Sequence, residues 1–353
     1  MPLYMDYHKH VNATFDELVM AHVLDTEVQH KFGVRYLKWW TNADAGTIYC
    51  LIESPDKQSC EAVHRAAHGQ VACSIVEVDP AFFNIIMGDG AFVGNGPMLH
   101  TNGMIDLGYR TILMVSLYLS VRADIGAINA ILSTTIKKYE GRETRWHVGS
   151  AIIGVFNNAD DALGAGLRIQ TLLNAEKHID YRISISTGQP VTEKSDFFGI
   201  TIKSARRAST ILQPSQIGVS FMTQKLCIDH AIFTDNITRL KVLTIDDDDF
   251  LEKWFEATEE NLAGGKLSIE SITRRMGVSR PQLYRKTVNL SQRSPNELLR
   301  DQRMEKAFEL LSKGSSTVSE IALSVGYSNA SHFAKCFAAR FGYSPTNYFR
   351  TNS

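Results

Sequence analysis

Nowhere along the 353 residues does an apolar run approach the ~18 residues of a membrane span, and the opening MPLYMDYHKH lacks the basic-then-apolar pattern of a secretory signal. No membrane partner is expected, and the cytoplasm is the expected compartment. The five cysteines (Cys50, Cys60, Cys73, Cys227 and Cys336) form no C-x-x-C pair, which argues against a disulfide framework and suits reduced thiols. Net charge is nearly absent, at -1, so the chain as a whole has no basic coat for a polyanion. The glycine-rich GDGAFVGNG is followed by no Lys-Ser/Thr, which excludes a phosphate-cradling loop of the Walker type and leaves a linker.

What is present is the 44% hydrophobic, 21% charged balance of a globular protein, at a length suited to two or three domains. The charge is unevenly spread. From Phe250 onward there are 15 Lys and Arg against 10 Asp and Glu, whereas the preceding residues carry 22 against 28. Only the C-terminal end is therefore electrostatically suited to nucleic acid, although such an excess is also common on ordinary surfaces. Turn formers dominate MGDGAFVGNGPMLHTNG and place a linker over 80–108. A second joint falls at Asp246-Asp247-Asp248-Asp249, where the aspartates are placed to cap the helical FLEKWFEATEENL. The expected organisation is α+β overall: 1–79, a linker at 80–108, a middle domain at 109–245, and an all-α domain at 250–353.

In LSIESITRRMGVSRPQLYRKTVNL, the apolar Ile269, Ile272, Met276, Val278, Leu283 and Val288 fall where two short helices would face each other across a turn at Gly277. Ser279 is placed to cap the second helix, and Pro281 suits its first turn. The pattern recurs in TVSEIALSVGYSNASHFAKCFAARFG, with a long helix from Pro295 to about Ser312 between the two copies, ended by Gly314. Two helix-turn-helix motifs follow. The stretch from Phe250 to Arg350 resembles the AraC/XylS family of transcription activators, above all through Gly326-Tyr327-Ser328, Ser331, Phe333, Lys335, Phe337 and Phe341-Gly342-Tyr343-Ser344-Pro345 to Tyr348. That resemblance implies a sequence-specific DNA-binding regulator acting on promoter or operator duplex, with RNA polymerase as a further partner. Outward residues on the two reading helices are the candidate DNA contacts: Arg280, Gln282, Tyr284 and Arg285 on the first, Asn329, Ser331, His332 and Lys335 on the second. A solvated helix face is the competing reading for each. Lys335 stands where the family often has arginine, which favours a phosphate contact over bidentate base reading.

Between Tyr109 and Cys227, strands and helices alternate. The stretch resembles class III adenylate/guanylate cyclase domains through Arg182-Ile183-Ser184-Ile185-Ser186-Thr187-Gly188, Asp196-Phe197-Phe198-Gly199, Ala205 with Arg207, and Gln216 to Ser220. Such enzymes hold two metal ions with two aspartates. Here Ser116 and Ser150 stand in those places, Lys203 replaces the transition-state asparagine, and Trp146 replaces the adenine-reading lysine. Hydroxyls do not substitute for carboxylates at a divalent pair, so the expectation is a non-enzymatic, degenerate cyclase domain serving as a dimerisation platform. Asp196 and Arg207 are left as candidate ligand contacts. A nucleotidyl cyclase with a DNA-binding tail is the alternative reading.

Residues 2 to 78 read as βαββαβ, the order of a ferredoxin-like sandwich. Six of the eleven histidines lie there, and His64 and His68, four apart on one helix, share a face suited to gripping a metal ion. His8 at the end of the first strand and Cys50 in the third are placed to join them. The segment resembles small ferredoxin-like domains described as nickel-binding, through Met5-Asp6-Tyr7-His8, Phe32-Gly33-Val34, Cys50 to Pro55 and His64 to Gly69. The resemblance implies a ligand set of His8, His64 and His68, with Cys50 and His22 as weaker members, for nickel or another divalent transition metal. Ordinary hydrogen-bonded core histidines are the competing reading. Control of DNA occupancy by a metal or small ligand, and by homodimerisation, completes the expectation.

Overall fold

Period-two alternation in the first strand places Tyr4, Asp6 and His8 on one face and Met5 and Tyr7 on the other. In the computed structural model, which describes residues 1–9, 14–69, 71–88, 90, 96–100, 102–119, 124–144, 151–176, 179–192, 197–259, 262, 267–314 and 316–352, both faces of this strand are covered. The chain divides into two compact units, residues 1–111 with 187–202 and residues 112–186 with 203–353.

The first unit begins with β1 (Leu3–Lys9), α1 (Phe15–Val28), β2 (Arg35–Asn42), β3 (Thr47–Glu53), α2 (Lys57–Ala67) and β4 (Ser74–Val78). The sheet order is β2-β3-β1-β4 with antiparallel pairs throughout, so the βαββαβ expectation holds. Thr14 caps α1 through a capping box with Glu17, and Asp56 caps α2. One face of the sheet packs Leu18, Val63 and Cys60 of the helices against Trp39, Ile48, Ile52 and Ile75. The other face is covered by the stretch expected as a linker over 80–108. Asp79 and Pro80 start a helix there, α3 (Pro80–Met87), whose Phe83 meets Trp40 edge-on at 5.9 Å. Further along, the Met98 N–H donates to the Trp39 carbonyl (2.8 Å), Trp40 Nε1 donates to Asp106 (3.1 Å), and buried Arg110 clasps Asp106 at 2.7 Å. Gly108 has φ +80° and lies so close to the sheet that a Cβ there would stand 3.5 Å from Trp40 and Tyr49. Glycine marks close approach here as well as looseness, and the linker expectation is corrected on that ground.

The middle segment comprises β5 (Arg110–Leu119), α4 (Ile125–Lys138), β6 (Arg142–Thr144), β7 (Ala151–Phe156), α5 (Ala159–Leu173), β8 (Ile179–Gly188), α6 (Gly199–Ile211), β9 (Ile217–Val219), α7 (Phe221–Leu226), α8 (Ala231–Asp235) and β10 (Leu240–Val242). Its six-stranded sheet has the order β10-β9-β8-β5-β7-β6. Leu113 and Val115 of β5 and Ile183 and Ile185 of β8 meet Leu132 and Ile136 of α4 and Leu163 and Ile169 of α5 in one core.

The helical C-terminal part has α9 (Ile245–Thr258), α10 (Ile269–Met276), α11 (Arg280–Ser291), α12 (Pro295–Lys313), α13 (Val318–Ser324), α14 (Ala330–Phe341) and α15 (Pro345–Asn352). Ser268, Ser279, Ser294 and Thr317 each make a capping box, and Gly277, Gly314 and Gly342 end helices in the left-handed region. At α9 the cap is Thr244, and three of the four aspartates lie inside the first turn, where they complement the helix dipole. The long α12 serves two cores: Leu298 and Leu299 join α9, α10 and α11, while Met304, Phe308 and Leu311 join α13 and α14.

Candidate nucleic-acid interface and metal centre

The two reading helices keep their outward residues in solvent. Arg280, Gln282, Tyr284 and Arg285 on α11 are exposed, as are Asn329, Ser331, His332 and Lys335 at and along α14. Beneath them Leu283 is buried in one motif and Phe333 and Phe337 in the other, so each helix offers one packed face and one free face. Four of the eight are partly engaged: Gln282, Asn329, Arg280 and, through Cys336, His332. Gln282 Oε1 accepts from the Ser279 N–H (2.8 Å), and Asn329 Oδ1 accepts from the His332 N–H (2.9 Å), leaving each an amide NH2. Arg280 is paired with Glu270. Lys286, which the sequence reading did not single out, turns back to Asp247 at 2.6 Å and ties α11 to the first turn of α9.

In the first unit the sheet and α2 bring imidazoles and carboxylates together. His64, fully buried, lies between two aspartates, with Nε2 2.9 Å from Asp6 and Nδ1 3.1 Å from Asp25. His8 approaches Asp6 at 3.3 Å and His68 approaches Asp25 at 3.3 Å. Two overlapping triads result, Asp6/His8/His64 and Asp25/His64/His68, each with its ligand atoms within 4.8 Å of one another. Burial opposes charge on His64, yet the hydrogen bonds to Asp25 and Asp6 prevail and raise its pKa to about 10. Asp6 is held well below the usual carboxylate range: burial pushes it up, but the His8 charge and the hydrogen bonds from His64 and His8 outweigh that. His22, stacked on Trp39 and buried, is pushed down to about 4 by desolvation.

The structure places His8 with His64 in one triad and His68 with His64 in the other, and leaves Cys50 outside both. The Cys50 thiol faces His22 Nδ1 at 3.7 Å, and burial holds it protonated. Asp6 and Asp25 were missed. Asp6 sits two residues before His8 on the same strand face, which was a usable signal; Asp25 belongs to α1, and nothing in its spacing points to α2.

In the middle segment Arg207 is engaged by the helical part. It pairs with Glu252 of α9 (3.3 Å), and its guanidinium lies 6.0 Å from the Phe255 ring. Ser116 lies on β5 and Lys203 is exposed on α6, while Asp196, Trp146 and Ser150 fall outside the described residues.

Residues 272–351 match the model of a helix-turn-helix domain, and the chain is 33% identical over 81 residues to the HTH-type transcriptional regulator MtrA of Neisseria gonorrhoeae (23% of this chain, 27% of that protein). This C-terminal region is an AraC-type helix-turn-helix domain. The AraC-type domain is not alone in the chain, since residues 4–78 match the model of nickel responsive protein SCO4226-like. The solved SCO4226 of Streptomyces coelicolor is 36% identical, covering 22% of this chain and 94% of that one with a TM-score of 0.21. An adenylate/guanylate cyclase/hydrolase from Silicibacter pomeroyi is similar at 23% identity, covering 34% of this chain and 80% of that one, with a TM-score of 0.27. A histidine kinase of Formosa agariphila is 30% identical over 102 residues, 29% of this chain and 7% of that protein. The chain spans 7% to 55% of the length of the curated relatives it matches. Among the described residues no helix is long and apolar enough to cross a membrane.

Proposed function

We propose that the protein is a sequence-specific transcription regulator that reads duplex DNA with α11 and α14 and takes its signal from a divalent metal ion in the first unit. The observation that carries this reading is the pair of exposed helix faces, Arg285 with Tyr284 on one and Lys335 with Ser331 on the other, each backed by a packed core and joined by α12. Reading helices about one DNA turn apart enter successive major grooves, where arginine reads guanine and lysine neutralises phosphate. Selection of bound duplexes from a random pool tests this. A motif of two half-sites is expected, and recovery of no preferred sequence refutes it.

The donor chemistry of the two triads fits a metal. Imidazole with carboxylate suits divalent first-row ions, nickel included, and the two buried aspartates supply the negative charge that such an ion would neutralise. Asp6, His8 and His64, or Asp25, His64 and His68, would hold it, and in the absence of the ion the ring protons of His64 bridge the two carboxylates. The ion supplies charge and fixed geometry, the basis of a binding signal. Because His64 belongs to both triads, we infer one ion per chain, to be measured by elemental analysis. A stoichiometry near zero with nickel, zinc and cobalt refutes the metal reading.

The middle segment serves in this scheme as a dimerising scaffold and has no cyclase activity, since Ser116 offers a hydroxyl where a metal-binding carboxylate is required. Incubation with ATP or GTP and Mg²⁺ or Mn²⁺ should give no cyclic product. A homodimer is expected at working concentrations, in the cytoplasm, with RNA polymerase as the further partner.

A further inference from the structure

The two helix-turn-helix motifs are attached to the middle segment in different ways. Around the first motif the attachment is a continuous apolar core: Ala208 and Ile211 of α6 and Leu243 pack with Trp254, Phe255, Ile272, Leu283 and Leu298. Backbone carbonyls seal its edge. Gln213 Nε2 donates to the Ser291 carbonyl (2.6 Å) and Arg293 Nη2 to the Thr210 carbonyl (2.7 Å).

Around the second motif, Tyr118 of β5 is the single middle-segment hydrophobic residue, among those described, packed against the core. Its ring stacks on Phe341 at 5.6 Å and meets Phe308 edge-on at 6.1 Å. Two guanidinium groups flank the same ring, Arg182 of β8 at 4.9 Å and Arg340 of α14 at 4.8 Å. Arg340 in turn donates to Asp180 of β8 (2.9 Å), and Arg206 of α6 pairs with Glu309 of α12 (3.3 Å). Arg340 Nη2 and Glu305 Oε1 are buried without a hydrogen-bond partner among the described residues, and Arg182 Nη1 lies 3.5 Å from Asp180 Oδ1. The clasp is thus held by rings and ion pairs, whereas apolar packing holds the seam along α6.

Arg340 lies in the last turn of α14, and the opposite end of that helix presents Asn329, Ser331, His332 and Lys335 to solvent. The clasped state therefore leaves the reading face open while gripping the helix by its far end. One connecting helix, α12, fixes the distance between the motifs but tolerates bending and twist. A second attachment at the end of α14 removes that freedom.

We propose that the Tyr118–Arg340 clasp is the positioning contact through which the middle segment sets the pose of the second reading helix, and so decides whether the second half-site is engaged. The proposal rests on the DNA-binding reading above. It identifies Tyr118, Asp180 and Arg340 as positioning residues that touch no base.

The test uses the full chain and two duplexes from the wild-type selection, one complete and one with the half-site of α14 scrambled. For Tyr118→Ala, affinity for the complete site should fall about tenfold or more, the loss expected when base contacts of one half are withdrawn. Affinity for the scrambled duplex should stay within about twofold of wild type, because only its first half-site is read. Tyr118→Phe, which keeps the ring, should retain most of the discrimination. Asp180→Asn, which removes the ion pairs of Asp180 and leaves the aromatic packing intact, should fall between, and it carries the test if Tyr118→Ala melts at a lower temperature. An unchanged ratio between the two duplexes in both Tyr118→Ala and Asp180→Asn overturns the proposal, as does a rise in affinity for the complete site. If wild type selects no motif at all, the DNA-binding reading fails first, and the clasp proposal falls with it.

Discussion

Replacing His64 by alanine leaves Asp6 and Asp25 facing each other across a buried space with the shared imidazolium gone. Both carboxylates are at least 95% buried, and each loses its hydrogen bond to His64, of 2.9 Å and 3.1 Å respectively. Removing one partner of a buried ion pair costs about 3–5 kcal/mol, and at roughly 3 °C per kcal/mol for a domain of this size the melting temperature of the first unit should drop by about 10 °C or more. The pH dependence has a definite sign. In the wild type the folded pKa of Asp6 is depressed, so its contribution is present above the unfolded value of 3.8 and is lost as pH falls. In His64→Ala the carboxylates lose the His64 hydrogen bonds and keep only His8 and His68 beside them, so their folded pKa values rise and the variant recovers stability on acidification from pH 7 toward pH 5. Thermal melts of metal-free protein at both pH values, followed by near-ultraviolet dichroism, read this directly. Adding Asp6→Asn and Asp25→Asn to His64→Ala should restore much of the lost stability while abolishing metal binding. A single variant that melts with the wild type at pH 7 would refute the reasoning, since it would mean that the three groups are not an ionised cluster.

Other outcomes follow from the helical part. Arg285→Ala should weaken specific DNA binding by about 1–3 kcal/mol and relax discrimination at one base pair, as measured by competition with singly substituted duplexes. Phe333→Ala deletes a fully buried ring between Tyr327 and Phe337 and should cost about 3–5 kcal/mol, seen as loss of protection in α13 and α14 by hydrogen exchange. Asp248 has its pKa raised to about 6, by burial first and then by Asp247 and Asp249, so its stabilising contribution is complete below pH 3.8 and is lost as pH rises through 6. Asp248→Asn should therefore gain about 1 kcal/mol, after screening, at pH 7.5 and nothing at pH 3.5, in denaturant titrations.

Features written in local spacing were legible. The helix-turn-helix motifs follow from Ser and Thr caps three residues ahead of their partners and glycines just past helix ends, and the βαββαβ order follows from alternation. The candidate site was half legible. His64 and His68 announce themselves four apart, but Asp6 reaches His64 across 58 positions and Asp25 across 39, and no periodicity links such pairs. For Arg207 the difficulty was different. Resemblance to a cyclase offers it as a ligand contact, and nothing in that resemblance points to its pairing with Glu252, a residue of the neighbouring helix. The 80–108 segment was misjudged because glycine content alone does not separate a loose tether from a backbone pressed against Trp40 and Tyr49.

The core that joins α6 to the first helix-turn-helix motif bears on where the polypeptide may be cut. A fragment beginning at Phe250 keeps Trp254 and Phe255 but discards Ala208, Ile211 and Leu243, their partners. It would carry a raw hydrophobic wound where the missing helix lay, and with it a tendency to aggregate. A cloning boundary near residue 112 keeps that surface closed, and the smallest soluble reader of DNA made from this gene is expected to include the middle segment.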